Sequence, residues 1–461
     1  MGSKLEIIDL FITLKDSILV ENINLSLCEK EPLVLLGESG SGKSLIIDAV
    51  MGTLPKEFNV TGKIILNGQD ILKLSSKNRK KLWGKEIAYL PQEPWRALDP
   101  TMNVINQVSE VHKYIHHEKD SKQKALHDLK EVSLDNSKNA YPFELSGGMS
   151  QRVTIAITHA FNSNVLLVDE PTKGLDKHLC NSVINRLNKE IENKKLVFVI
   201  THDIDIAKNL KDNLGIIQNG KLIEYNKSEL LFSNPKHPYT KKLLSSETSK
   251  WEVEKSEVID EVVIEAKNLS KTYNDKKLFS DLNFKLKRGE ITAIVGNSGS
   301  GKSTLGDIVL GLREPDNGKI NKPLSSKNIH YQKIYQQPPS AFLPNQILKN
   351  SFEDLIKVHN INMNEVYKLL EKVNLKKELL DRKPDEISGG ELQRIAIIRV
   401  LLLKPIFIFA DEVTSRLDPI SQQEIIYLLL DIVKEDKLSL LLVTHDRVLA
   451  EKISNKILYI N

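Results

Sequence analysis

Two lysines, Lys43 and Lys302, each close a glycine-rich loop, and these loops carry the most specific chemical spacing in the chain. Gly37-Glu38-Ser39-Gly40-Ser41-Gly42-Lys43-Ser44 and Gly296-Asn297-Ser298-Gly299-Ser300-Gly301-Lys302-Ser303, with Thr304 behind the second, both fit G-x-x-x-x-G-K-[ST]. In such a loop the backbone N–H groups and the helix that follows face phosphate oxygens. The lysine reaches the β- and γ-phosphates, and Ser44 or Ser303 offers a hydroxyl to magnesium. Two apolar runs end in acid pairs, Asp169-Glu170 and Asp411-Glu412. Asp169 and Asp411 suit the hydration shell of a magnesium ion, and Glu170 and Glu412 suit the polarisation of an attacking water. Thr201-His202-Asp203 and Thr444-His445-Asp446 close a further apolar run in each half. An imidazole there can donate to a γ-phosphate. Ser146-Gly147-Gly148 and Ser388-Gly389-Gly390 precede amphipathic helical stretches and offer a second set of phosphate-facing N–H groups. One phosphate loop does not need a second set, so the economical reading is that each faces nucleotide held by the other copy.

The elements that must position these residues repeat as well. Residues 4–12, 19–27 and 33–36 read as strands leading into the first loop; 262–269, 278–286 and 291–295 do so for the second. Residues 63–66 read as a strand ending in a tight turn at Asn67-Gly68. Residues 165–168, 197–200, 406–409 and 440–443 are apolar throughout and separated by helical patterns, which predicts an α/β fold with a mainly parallel, doubly covered sheet. The region 92–142 is mostly helical in pattern. Its His112 and His116 share a helix face, but no cysteine or close carboxylate set completes a metal site, so a solvated face is expected. Residues 245–261, short and mixed in charge, read as a linker between a first domain, 1–244, and a second, 262–461.

The 461 residues suffice for a tandem duplication, and a net charge of +4 gives no argument for nucleic acid. Two cysteines, Cys28 and Cys180, fit a reducing compartment and supply no disulfide framework. No basic segment followed by an apolar core opens the chain, and apolar runs such as 438–443 are far below membrane-span length. A cytoplasmic protein is expected, with any membrane role exercised through partners.

This set of motifs resembles the ATP-binding cassette (ABC) family over essentially the whole chain. The resemblance makes the two loops Walker A motifs, residues 165–170 and 406–412 Walker B motifs with their catalytic glutamates, and residues 145–151 and 387–393 signatures. His202 and His445 resemble switch histidines. Gln92 and Gln336 resemble the Q-loop glutamines, which in the family touch magnesium and the attacking water. Leu175-Asp176 and Leu417-Asp418 resemble D-loops. The implied fold is two P-loop NTPase domains, each a RecA-like core with a small antiparallel β subdomain and a helical subdomain. The implied reaction is ATP hydrolysis with Mg2+.

In the family, two cassettes sandwich two ATP molecules head to tail. By that implication Lys43, Gln92, Asp169, Glu170 and His202 work with Ser388, Gly389 and Gly390, while Lys302, Gln336, Asp411, Glu412 and His445 work with Ser146, Gly147 and Gly148. Both sites keep their hydrolytic residues and are expected to be competent. The asymmetry expected lies at the adenine: Tyr273 stands as far before Gly296 as Leu14 stands before Gly37, and an aromatic ring stacks better.

Asn234-Pro235-Lys236-His237-Pro238-Tyr239-Thr240 and the Ala97-Leu98-Asp99-Pro100 and Ala341-Phe342-Leu343-Pro344 segments resemble the peptide and nickel importer ATPases. The chain therefore looks like a fusion of their two ATP-binding subunits. That resemblance implies two integral-membrane permease subunits, an external substrate-binding protein acting indirectly, and a peripheral location on the cytoplasmic face of the membrane. Oligopeptides, dipeptides, and free or chelated nickel stay open as substrates. The alternatives are a soluble tandem cassette acting on the ribosome and an exporter ATPase. The short linker and slight net charge point away from the first, the paired, non-identical cassettes from the second and the His-Pro-Tyr segment from both, and two cysteines cannot supply the zinc modules of a DNA-repair cassette.

Overall fold

Runs that are apolar at nearly every position have no face to offer water, and they become the inner strands. Leu33–Leu36, Leu196–Thr201, Ile291–Val295, Phe407–Asp411 and Ser439–Val443 are buried along their whole length. The computed structural model describes residues 3–93, 97–172, 177–273, 276–297, 299–323, 327–415 and 417–460. It forms two compact units, Met1–Leu244 and Ser245–Asn461.

In the first unit the parallel core runs Asn213–Gln218, Leu33–Leu36, Leu196–Thr201, Val165–Asp169, Ile87–Leu90. Lys221–Lys227 folds back antiparallel on Asn213–Gln218 and meets Ser17–Cys28 through the single pair Lys221 and Glu21. Beyond it lie the antiparallel strands Ser17–Cys28, Lys4–Leu14, Phe58–Leu66 and Gln69–Asp70. The Asn67-Gly68 turn is present, with φ of 49° and 86°. Helices Val104–Glu110, Ser121–Glu131 and Gly147–Ala160 enclose a separate core that includes Leu98, Val108, Leu129 and Val153.

The second unit repeats the plan with a parallel sheet ordered Tyr331–Ile334, Phe407–Asp411, Ser439–Val443, Ile291–Val295, Lys456–Tyr459. A separate antiparallel sheet contains Lys276–Arg288, Ile259–Tyr273 and Asn317–Asn321. Helices Leu348–His359, Met363–Lys372 and Gly389–Leu401 pack around Phe352, Val366, Leu370 and Ile395. In both units the loops that leave the C-terminal ends of the parallel strands share one edge, where ligands of open α/β sheets gather.

Two expectations need correction. His112 is not on a solvated face: it is 8% exposed, with Nδ1 2.9 Å from Glu118 Oε2 and Nε2 2.7 Å from Asp128 Oδ2. A π-turn at Val111–Ile115 ends its helix and brings the next one back against it. Close carboxylates therefore exist, and they clasp the two helices. No group of three or more His, Cys, Asp or Glu among the described residues can hold a metal. Residues 245–261 are also more than a connector. Trp251 is 3% exposed in the core of the second unit, its ring 5.7 Å from that of Tyr427, and its Nε1 donates to the Ser246 carbonyl at 2.9 Å. Lys452 Nζ donates to the Trp251 carbonyl at 2.6 Å and Asn455 Nδ2 to that of Ser256 at 3.0 Å, while residues from Ile259 onward already belong to a strand.

Replacing Trp251 by Ala should therefore cost the second unit about 3–5 kcal/mol. Calorimetry should show its transition move down while that of the first unit stays; a transition that does not move would mean the segment is a passive tether.

Candidate functional site

Each phosphate loop joins an inner strand to a helix, Leu33–Leu36 to Lys43–Met51 and Ile291–Val295 to Lys302–Leu310. The turn needs glycine at the helix start, because Gly42 and Gly301 have φ of 94° and 97°. Gly37 and Gly296 are required for closeness. A Cβ there would lie 2.4 Å from the Ile217 carbonyl oxygen and 2.1 Å from that of Ile460. Neither helix start is capped by a side chain, so first-turn N–H groups remain for an anion. Lys43 is buried, and its ammonium donates to the carbonyls of Gly37 and Glu38 at 2.7 and 2.8 Å. Lys302 does the same to Gly296 and Asn297, both at 2.9 Å. Ser39, Gly40, Gly299 and Thr304 occupy the expected loop and helix positions; Ser298, Pro94 and the first D-loop pair, Leu175-Asp176, lie outside the described residues.

Behind each loop stands the strand-end aspartate. Asp169 is 2% exposed, and burial pushes its carboxyl up to about 6, with the Ser44 hydroxyl pulling the other way. Its Oδ1 has no hydrogen-bond partner among the described residues. In the second unit Ser303 Oγ donates to Asp411 Oδ1 at 2.9 Å, and burial raises Asp411 against the pull of Ser303 and Lys333. A hydroxyl beside a buried, charge-poor carboxylate is a donor set that fits a hard divalent cation.

The next residues, Glu170 and Glu412, take left-handed backbone angles, φ 49° and 47°. For a non-glycine residue this is a strained conformation, held by its surroundings. Glu170 Oε1 lies 2.9 Å from His202 Nδ1, and its Oε2 accepts from Thr201 Oγ1 at 3.1 Å and from the His202 N–H at 3.3 Å. Glu412 Oε1 lies 2.5 Å from His445 Nε2, and its Oε2 accepts from Gln336 Nε2 at 2.6 Å. Burial pushes Glu412 up, but His445, Lys302 and Gln336 outweigh it and hold the carboxyl below its ordinary value. Gln92 occupies the matching place after Ile87–Leu90.

The signatures start helices in the helical part of each unit. Ser146 Oγ accepts from the Met149 N–H at 3.3 Å; Ser388 Oγ accepts from the Glu391 N–H at 3.4 Å and donates to Glu391 Oε2 at 2.6 Å. The hydrogen bonds of both serines stay within their own helix starts. Tyr273 is 59% exposed at a strand end paired with Lys276, whose Nζ donates to the Gly299 carbonyl at 3.3 Å.

Two residues escaped the sequence reading. Tyr239 is buried, and its hydroxyl accepts from the Glu38 N–H at 3.0 Å, tying the helix Pro238–Ser245 to the first phosphate loop. His237 Nδ1 supports it by accepting from the Tyr239 N–H at 3.2 Å. The His-Pro-Tyr spacing was a visible signal, though not of this contact. Lys333 was visible only as a cation in the middle of a short buried strand.

The ABC transporter family matches residues 20–173 and 279–415. The peptidoglycan transport ATP-binding protein YejF of Agrobacterium fabrum is 30% identical, over 96% of this chain and 87% of its own length. An uncharacterized ABC transporter ATP-binding protein YejF of Escherichia coli is 32% identical over 93% and 87%. The glutathione import ATP-binding protein GsiA of Salmonella typhimurium is 30% identical over 95% and 81%. Among solved structures, RNase-L Inhibitor superposes with a TM-score of 0.67 over 97% of this chain and 87% of that one; at 20% identity this speaks for the fold alone.

Burial raises Asp169, so between pH about 3.8 and about 6 the folded state keeps a proton that the unfolded chain has released. Stability is then lost as pH rises through that window, by roughly 3 kcal/mol in full above it. Asp169→Asn should raise the melting temperature of the metal-free protein at pH 7, and the gain should vanish near pH 4. Tyr239→Phe removes one hydrogen bond of about 0.5–1.5 kcal/mol. In a Lys302→Ala background it should weaken binding of a fluorescent ATP analogue about three- to tenfold; unchanged affinity would leave Tyr239 a packing residue only.

Proposed function

The chain belongs to the ABC transporter family, and from that premise we propose that this ATPase is the energy-coupling component of an importer for peptides or peptide-like compounds. The observation that carries the reading is the duplicated set of Lys43, Asp169, Glu170 and His202 with Lys302, Asp411, Glu412 and His445, each gathered at one sheet edge. The relatives named for peptidoglycan transport and glutathione import favour the peptide class over nickel. The His-Pro-Tyr segment, seated against the first phosphate loop, agrees with that class.

In this reading Lys43 and Lys302 swing from their own loop carbonyls onto ATP phosphates. Ser44 with Asp169, and Ser303 with Asp411, would hold Mg2+, which would supply charge neutralisation to the phosphate chain. Glu170 and Glu412 orient the attacking water, fixed by His202 and by His445 with Gln336; Gln92 takes the corresponding place in the first unit. Tyr273 covers the adenine of the second site. Ser146-Gly147-Gly148 and Ser388-Gly389-Gly390 complete the site of the opposite loop, so ATP joins the two units and its hydrolysis releases them. Two integral-membrane permease subunits supply the channel, an external binding protein supplies the substrate, and the chain works at the cytoplasmic face of the membrane. No described helix is long and apolar enough to cross a membrane.

Replacing both Glu170 and Glu412 with Gln should leave ATP binding intact and lower turnover at least about a hundredfold. Phosphate release and filter binding measure the two separately, and full turnover in the double variant would overturn the assignment.

A further inference from the structure

Behind the candidate metal position, the two units carry different charge. In the first, Tyr89 on the strand Ile87–Leu90 lays its hydroxyl against Asp169. The same position of the matching strand, Tyr331–Ile334, is Lys333. Its Nζ lies 2.7 Å from Asp307 Oδ1 and 3.6 Å from Asp411 Oδ2. The side chain is 13% exposed, with Nζ 5.3 Å from the centre of the Phe409 ring and 5.4 Å from that of Tyr335. This is a cation fixed in place by two carboxylates and two rings. Asp48 is the counterpart of Asp307 on the loop helix, so the first unit keeps both acids without the cation.

The consequence shows in the strand-end carboxylates. Asp411 Oδ1 accepts from Ser303 and its Oδ2 lies 3.6 Å from the Lys333 ammonium, an ion pair beyond hydrogen-bond reach, whereas Asp169 meets the hydroxyls of Ser44 and Tyr89 and its Oδ1 has no hydrogen-bond partner among the described residues. A divalent cation arriving beside Asp411 meets a carboxylate already sharing its charge and a fixed positive charge within a few ångströms. In a partly buried site that repulsion is weakly screened.

We propose that Lys333 is a positioning residue that lowers the divalent-metal affinity of the second nucleotide site relative to the first, so that the two sites load metal and ATP at different magnesium concentrations. The inference rests on the reading that Ser303 and Asp411 hold the metal. It is independent of the adenine contact, because it acts on the metal and not on the base.

The test uses the full chain with one site silenced at a time, by Lys43→Ala or Lys302→Ala. Mn2+ is the probe, counted by electron paramagnetic resonance in the presence of a non-hydrolysable ATP analogue. The second site should bind Mn2+ about three- to tenfold more weakly than the first. Lys333→Tyr and Lys333→Met should each tighten it toward the first site, Lys333→Arg should leave it near the wild type, and Tyr89→Lys should weaken the first site. Circular dichroism identifies any variant that has not folded, and the remaining variants then decide. Equal Mn2+ affinities at the two sites, unmoved by the Lys333 replacements, would overturn the proposal while leaving the ATP sites standing. Loss of nucleotide-dependent Mn2+ binding from both sites of the otherwise unaltered chain would overturn the ATP-site reading and the proposal with it.

Discussion

A carboxylate at the end of a fully buried strand is costly until positive charge reaches it, and both units are organised around that cost. Asp169 and Asp411 terminate strands enclosed on both sides by other strands and covered by helices, and burial first, then the neighbouring acids, drive both carboxyls upward. Beside each stand a hydroxyl from the loop helix and, one residue on, a second acid, with the Tyr89 hydroxyl added at Asp169 and the Lys333 ammonium at Asp411. Nothing in such a place favours stability for its own sake. The position makes sense where a cation and a phosphate chain arrive together, so the sheet edge is primed by what it lacks. Glu170 and Glu412, which follow the two aspartates, combine a left-handed backbone with a carboxylate against the histidine of the next strand end.

The two units solve this problem with the same scaffold and different neighbours. Glu170 is held by His202 Nδ1 together with Thr201, and Glu412 by His445 Nε2 together with Gln336. Tyr89 faces one aspartate and Lys333 the other. Tyr239 reaches the first phosphate loop from a helix that follows the hairpin strand Lys221–Lys227. These differences surround residues that are the same in both units.

Most of the scaffold was legible because its signals are local. Strands such as 33–36 and 440–443 are apolar at each position, and the phosphate loops announce their own turns through glycines that only left-handed angles or close approach require. What escaped depends on contacts that spacing does not encode. The Tyr239 hydroxyl meets Glu38 from 201 positions away. His112 finds Glu118 and Asp128 only because a π-turn redirects the chain between them. Residues 245–261 look like a linker on average composition, and one buried indole among polar neighbours is enough to anchor them. The strand-end acids, by contrast, were legible as a pair, while the cation beside one of them was hidden in a strand too short to show an alternating pattern.

The signature serines carry an asymmetry of their own. Both cap their helices, but only Ser388 also commits its proton, to Glu391, in a closed capping box. The matching residue of the first signature is Met149, which cannot accept that proton, so the Ser146 hydroxyl can turn its hydrogen outward without breaking a bond to a carboxylate. To donate to a phosphate, Ser388 must first leave Glu391, and the carboxylate then stands near the incoming negative charge. Engagement of Ser388 therefore carries an energetic step that engagement of Ser146 does not.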